Sequence, residues 1–199
     1  MSRPMAVAEN SPAERVILGI DPGTTAMGFG VLLEQGRSIA LVDAGVVRFP
    51  GLDDHTLKLK EIFDRTLAII DQHHPDELAI EAQFFGKNVQ SMLKLGRAQG
   101  VAIAAALHRQ IAVVEYAPKR VKQAITGNGN ASKEQVAAML GGLLQGAKLP
   151  TSTDATDAVA VALCHHFSRG NTVRRGGVAR GSSTWGSFVR NNPGRVKKP

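Results

Sequence analysis

The 199-residue chain carries 24 Lys and Arg against 17 Asp and Glu, a formal net charge of +7, with 43% apolar side chains and one cysteine. Length and apolar share predict one domain with a sizeable core plus a tail, and the longest apolar run, residues 101–107, is far short of the ~20 residues that span a bilayer. The lone Cys164 excludes an internal disulfide and reads as a buried core residue in a reducing cytoplasm, and residues 1–15 lack the apolar stretch of a secretory leader.

The charge is uneven. Residues 168–199 hold eight basic residues and no acid, while the rest of the chain holds 16 basic and 17 acidic residues. The chain therefore divides into a flexible extension over 1–14, a folded domain over 15–168 and a basic, disordered tail over 169–199. The tail either attracts nucleic acid phosphates without sequence preference or serves as a solubilising end.

In chain order, RVILGI (15–20) predicts a buried strand closed by Asp-Pro-Gly turn chemistry. Two more strands follow at 27–33 and 38–48, joined by the short connection EQG. Leu59, Ile62, Phe63, Leu67 and Ile70 recur at helical spacing between Thr56 and His73. DELAIE (76–81) predicts a short buried strand, residues 88–109 a long Gly- and Ala-rich helix, and IAVVEY (111–116) a fifth strand. Ser132 and Gln135 have capping-box spacing and open a helix to about Leu144, and a last helix covers about 153–168. Three strands in hairpin order followed by alternating helices and strands predict an α/β fold, a mixed five-stranded sheet with helices on both faces.

Two of these strands run apolar and end in a single acid, Asp21 and Glu81. Ligand crevices of such sheets lie beyond the carboxyl ends of the strands. Asp154 and Asp157, three apart, share one face at the start of the last helix. Taken singly, each acid has a plainer role: Asp154 as an N-cap, Asp157 as a dipole partner, Asp21 as a turn former, Glu81 as a strand end. Gathered in one crevice, they raise each other's pKa unless a cation neutralises them. Oxygen-only ligation favours a hard ion, Mg²⁺ or Mn²⁺, and two such ions ~4 Å apart assist phosphodiester hydrolysis.

The blocks GIDPGTTAMGFGV, LAIEAQFFGKN, LKLGRAQGVAIAAA, EYAPKRVKQAITGNGNASKEQV and TDATDAVAVALCH resemble, in order and spacing, the RuvC family of Holliday-junction resolvases over about residues 15–167. The resemblance implies an RNase H-like fold, a homodimer, and paired symmetric nicking of four-way DNA junctions in recombination and repair. Asp21, Glu81, Asp154 and Asp157 fall on the family's acidic quartet, which makes them the catalytic set and the ligands of two Mg²⁺ ions, with Mn²⁺ able to substitute. A branch-migration motor of the RuvA and RuvB type is implied as a partner. The extension and the tail lie outside this likeness.

Phe84 and Phe85 follow the second acid in an expected loop, where an aromatic pair either stacks on unpaired bases or belongs to the core. Phe84 matches the family's base-stacking position, with Lys87 and Asn88 then expected at phosphates. Lys119, Arg120, Lys122 and Lys133 surround a Gly-rich loop, a backbone-tracking surface or a solvated face. Lys122 and Lys133 match basic positions of the family near its site. Gly96, Ala98, Gly100, Ala102 and Ala104 to Ala106 permit close helix approach, inside the fold or, as the family implies, across a two-fold axis. His165 and His166 fall at the expected end of the last helix, where a cation suits the dipole, and are not assigned as ligands.

Two other readings fit parts of the chain. GIDPGTT also resembles the phosphate loop of actin-like ATPases, although about 150 structured residues leave no room for their second lobe. A junction-binding module that does not cut would keep the basic surface but gain nothing from four acids in its groove.

Overall fold

The computed structural model describes residues 14–36, 38–49, 54–82, 88–144 and 146–174, with side chains described through Arg169. Five strands, β1 (Glu14–Asp21), β2 (Ala26–Gln35), β3 (Ser38–Arg48), β4 (Glu77–Glu81) and β5 (Ala112–Tyr116), form one sheet in the order β3-β2-β1-β4-β5. The first three are antiparallel neighbours, and β4 and β5 run parallel to β1. This is the expected mixed five-stranded sheet.

The helices are α1 (His55–His73), α2 (Val89–His108), α3 (Pro118–Thr126), α4 (Lys133–Leu143) and α5 (Thr153–Arg174). Side-chain alternation along the strands divides the core in two. Leu18, Ile20, Leu78 and Ile80 pack with Ile62, Ile69 and Ile70 of α1 and Ala98, Ala102 and Ala106 of α2. Ile17 and Ala79 point the other way, into a core with Val121 and Ile125 of α3, Val136 and Leu140 of α4, and residues 159–164 of α5. Asp21 follows Ile17 by four residues and Glu81 follows Ala79 by two, so both acids belong to the α5 face.

Local chemistry sets the helix ends. Asp54 caps α1 by accepting from the Thr56 amide at 2.7 Å, and Asn88 caps α2 by accepting from Ser91 at 3.1 Å. The Ser132–Gln135 capping box is formed.

Three points differ from expectation. Residues 118–126, to which the sequence pattern assigns no element, form α3: Pro118 sits in its first turn, Val121 and Ile125 bury one face a turn apart, and Gly127 closes it at φ 76°. The last helix runs to Arg174, beyond the expected boundary near 168, and residues 175–199 and 1–13 lie outside those described. His165 and His166 therefore stand inside α5, not at its C-terminus. Among the described residues no helix is long and apolar enough to cross a membrane.

Candidate active site

At three glycines of β1 and β2, α5 comes unusually close to the sheet. A Cβ on Gly28 would lie 2.0 Å from the Asp154 carbonyl oxygen, one on Gly19 would lie 2.1 Å from that of Ala158, and one on Gly30 would lie 2.6 Å from Val159 Cγ2. Only glycine fits between these backbones. The seam brings the first turn of α5, with Asp154 and Asp157, against the ends of β1 and β2, where Asp21 and Gly28 are register partners. In the parallel pair, Ile20 stands beside Ile80, so Asp21 and Glu81 are the next residues of adjacent strands.

The four acids share one electrostatic field. Burial first, then the carboxylates of Glu81, Asp157 and Asp154, push the Asp21 carboxyl up to about 8, with Lys133 opposing. Asp21 is thus protonated near neutrality in the ion-free chain and donates a hydrogen bond to Glu81. Burial and then Asp157 also raise Glu81, against Lys133, that hydrogen bond and Lys122. Lys133 Nζ donates to Asp157 Oδ2 at 2.6 Å, and this bond is the main cause of its raised pKa.

Glu81, Asp157, Lys122 and Lys133 line a cavity of about 260 Å³ with Val121, Val136 and Ala160 among its apolar walls; Asp21 is not part of that lining but feels the charges of Glu81 and Asp157. Among the described residues no three His, Cys, Asp or Glu side chains are gathered closely enough to enclose a metal ion. Coulombic coupling acts over longer distances than coordination, so the acids share a field without sharing a point. The donor set still suits a hard cation. It offers carboxylate oxygen alone, and positive charge would relieve the repulsion that keeps Asp21 protonated.

The four basic residues expected to form one surface divide. Lys122 and Lys133 line the acidic cavity. The Lys119 stem lies against Gly129 of the α3–α4 turn, and Arg120 donates to the Ser168 hydroxyl of α5 at 3.4 Å. Asn88 has its side-chain oxygen committed to the α2 cap. Phe84, Phe85 and Lys87 lie outside the described residues.

Sequence reasoning left His165 without a role beyond the helix dipole. It is 3% exposed, its Nδ1 stands 2.8 Å from the Tyr116 hydroxyl and its Nε2 2.7 Å from Glu77 Oε2. Arg169, one turn on, also donates to Glu77. Those partners lie 49 and 88 residues away in the chain, beyond the reach of any local pattern.

The sheet order, with acids at the carboxyl ends of its two central strands and on the helix crossing them, defines an RNase H-like fold with an acid-lined crevice. A family model described as "Crossover junction endodeoxyribonuclease RuvC" matches residues 17–165. The protein of that name from Porphyromonas gingivalis is 55% identical over 190 residues, covering 94% of this chain and 100% of its own. Its counterpart from Christiangramia forsetii is 52% identical over 185 residues, covering 93% and 94%. The solved structure of Thermus thermophilus RuvC in complex with Holliday junction substrate aligns with a TM-score of 0.74 at 34% identity, over 79% of this chain and 96% of its own. The chain belongs to the RuvC family of crossover junction endodeoxyribonucleases. Coverage of 94% leaves too few unmatched residues to omit the basic tail, so the likeness extends past residue 167.

Proposed function

We propose that this chain is a structure-selective endonuclease that resolves four-way DNA junctions by paired, symmetric nicks, in recombination and repair. The observation that supports this most is the gathering of Asp21, Glu81, Asp154 and Asp157 on one face, where burial first and then the other three carboxylates push the Asp21 carboxyl up to about 8. A crevice built only to bind DNA would be weakened by such acids.

In this reading the four carboxylates hold two divalent ions, Mg²⁺ with Mn²⁺ as substitute. Such ions would supply the chemistry that activates a water and stabilises the leaving oxygen of the phosphodiester. The chain's own residues supply the rest. Asp21 would lose its proton to solvent when a cation binds, leaving all four carboxylates free to hold it. Lys133 moves from Asp157 toward a phosphate, with Lys122 beside it on the same wall. Asn88 keeps its amide nitrogen for the DNA backbone while its oxygen caps α2. Phe84 stacks on an unpaired base and Lys87 meets a phosphate near the crossover, and Lys119 and Arg120 extend the basic flank. In-line attack leaves 5′-phosphate and 3′-hydroxyl ends.

Two nicks related by symmetry call for two crevices, and we assign the homodimer contact to α2. Val89 and Leu93 are 66% and 52% exposed, and Cβ atoms on Gly96 and Gly100 would meet nothing. These four residues share one helical face, opposite buried Ala98, Ala102 and Ala105. A helix apolar on both faces is stable in water when both are covered. Sedimentation of Leu93→Glu tests this; a monomer is expected, and an unshifted dimer assigns the contact elsewhere. A branch-migration motor of the RuvA and RuvB type, a cytoplasmic location, and the division into extension, nuclease domain and DNA-attracting tail complete the reading.

One gel tests the activity: a synthetic four-way junction with labelled strands, incubated with Mg²⁺ and with EDTA. Symmetric nicks dependent on Mg²⁺ are expected. An uncut junction that the protein still binds leaves only a binding module.

A further inference from the structure

We infer that His165 is a positioning residue for the acidic crevice: by bridging β4 and β5 from within α5, it sets the register of α5 along the sheet and so the separation of Asp157 from Glu81. This rests on the ion-binding reading above.

Three observations carry it. First, both ring nitrogens of this 3% exposed imidazole are engaged, by residues of two different strands. Glu77, on Nε2, is the first residue of β4. Tyr116, on Nδ1, is the register partner of Glu81, the last residue of β4, and its carbonyl accepts from the Ala82 amide at 2.9 Å. His165 therefore ties α5 to both ends of the strand that carries Glu81. Second, Asp157 lies eight residues earlier on the same helix, about 12 Å along its axis. A rigid helix transmits any axial slip at His165 to that carboxylate. Third, at Gly19 and Gly28 the α5 backbone rests directly on β1 and β2, so at those two positions no strand side chain keys the helix lengthwise. Directional hydrogen bonds are what resist sliding on a smooth seam.

The bonding pattern fixes the tautomer. In a neutral ring whose Nε2 carries the proton toward Glu77, Nδ1 is the acceptor and the Tyr116 hydroxyl donates to it. Nε2–H then donates to the Glu77 carboxylate. Although burial pushes Glu77 upward, His165 and Arg169 hold it below its ordinary value, so it remains an acceptor. A buried histidine satisfied only for stability would leave the affinity of the crevice for an ion unchanged when altered.

The experiment titrates Mn²⁺ calorimetrically into the full-length protein near neutral pH, alongside junction affinity measured in EDTA. His165→Phe keeps the ring volume but loses both bonds; about a tenfold weaker Mn²⁺ affinity is expected, the low end for residues that orient ligands, with junction affinity unchanged. His165→Gln, which restores an N–H toward Glu77, recovers part of the loss, and Tyr116→Phe falls between. Wild-type Mn²⁺ affinity in Tyr116→Phe and His165→Gln proteins of native circular dichroism overturns the inference, even if His165→Phe does not fold. A wild-type protein that binds Mn²⁺ but cuts no junction removes the proposed activity and, with the variants weakened, supports the inference. Cutting by a wild type whose Mn²⁺ affinity the substitutions leave unmoved does the reverse.

Discussion

The two ends of α5 treat charge in opposite ways. At the C-terminal half, His165 and Arg169 both hydrogen-bond Glu77 of β4, so complementary groups face each other across the sheet. At the N-terminal end, Asp154 and Asp157 meet Asp21 and Glu81, like against like, with Lys133 as the adjacent cation that opposes their repulsion. The same helix on the same sheet is thus electrostatically settled at one end and loaded at the other. Stability resides where charges match; reactivity requires the end where they do not, because only that end gains from a bound cation.

The largest expected effect comes from removing charge at the loaded end. Asp21→Asn mimics the protonated side chain, so the fold and junction binding survive while nicking in Mg²⁺ falls more than about a hundredfold, the scale of losing one charge-stabilising group. Cutting at the wild-type rate would remove Asp21 from the mechanism.

Next comes the seam. Gly28→Ala forces a methyl into the Asp154 carbonyl, displacing the first turn of α5. A stability loss of about 3 kcal/mol in urea denaturation is expected, the upper end of ordinary overpacking, together with loss of cleavage. A variant of native stability and activity would show that α5 can lift freely.

A smaller effect is the pH dependence of the ion-free protein. The folded pKa of Asp21 lies far above its ordinary value, so its neutral form is favoured in the fold. That contribution is complete below about pH 4 and is lost as pH rises through about 8. Denaturation in EDTA should therefore show stability falling between pH 5 and 8, by at most about 1.4 kcal/mol per pH unit for one proton. Asp21→Asn flattens the slope, and Mg²⁺ restores stability at the alkaline end. A flat wild-type profile would mean that neither burial nor the neighbouring acids raise Asp21 in the fold.

The smallest concerns the tail. Deleting residues 175–199 removes six basic residues; junction binding is expected to weaken and its salt dependence to flatten, with cut sites unchanged. An identical salt slope would favour the solubilising role.

How much of this could be read beforehand follows from the range of each interaction. The strands were legible because a short apolar run closed by turn residues or a single acid is a local pattern: RVILGI before Asp-Pro-Gly reads as a buried strand whatever the rest of the chain does. The same rule put Asp21 and Glu81 at strand ends, and the resemblance joined them to Asp154 and Asp157. α3 was missed because it offers one buried pair, Val121 and Ile125, and is bounded by Pro118 and Gly127, residues that also punctuate loops. The far end of α5 was cut short because the composition turns basic and acid-free from about residue 169, which reads as a disordered tail. The His165 bridge had no local sign at all.

The glycine seam has a dynamic consequence. Where side chains separate a helix from a sheet, rotamer changes let the two breathe independently. Here backbone rests on backbone, so the mouth of the crevice opens only if the whole first turn of α5 lifts away. Amide hydrogens of residues 157–160 should then exchange as slowly as those at the centre of β1, an unusual rigidity for a segment so close to a helix terminus.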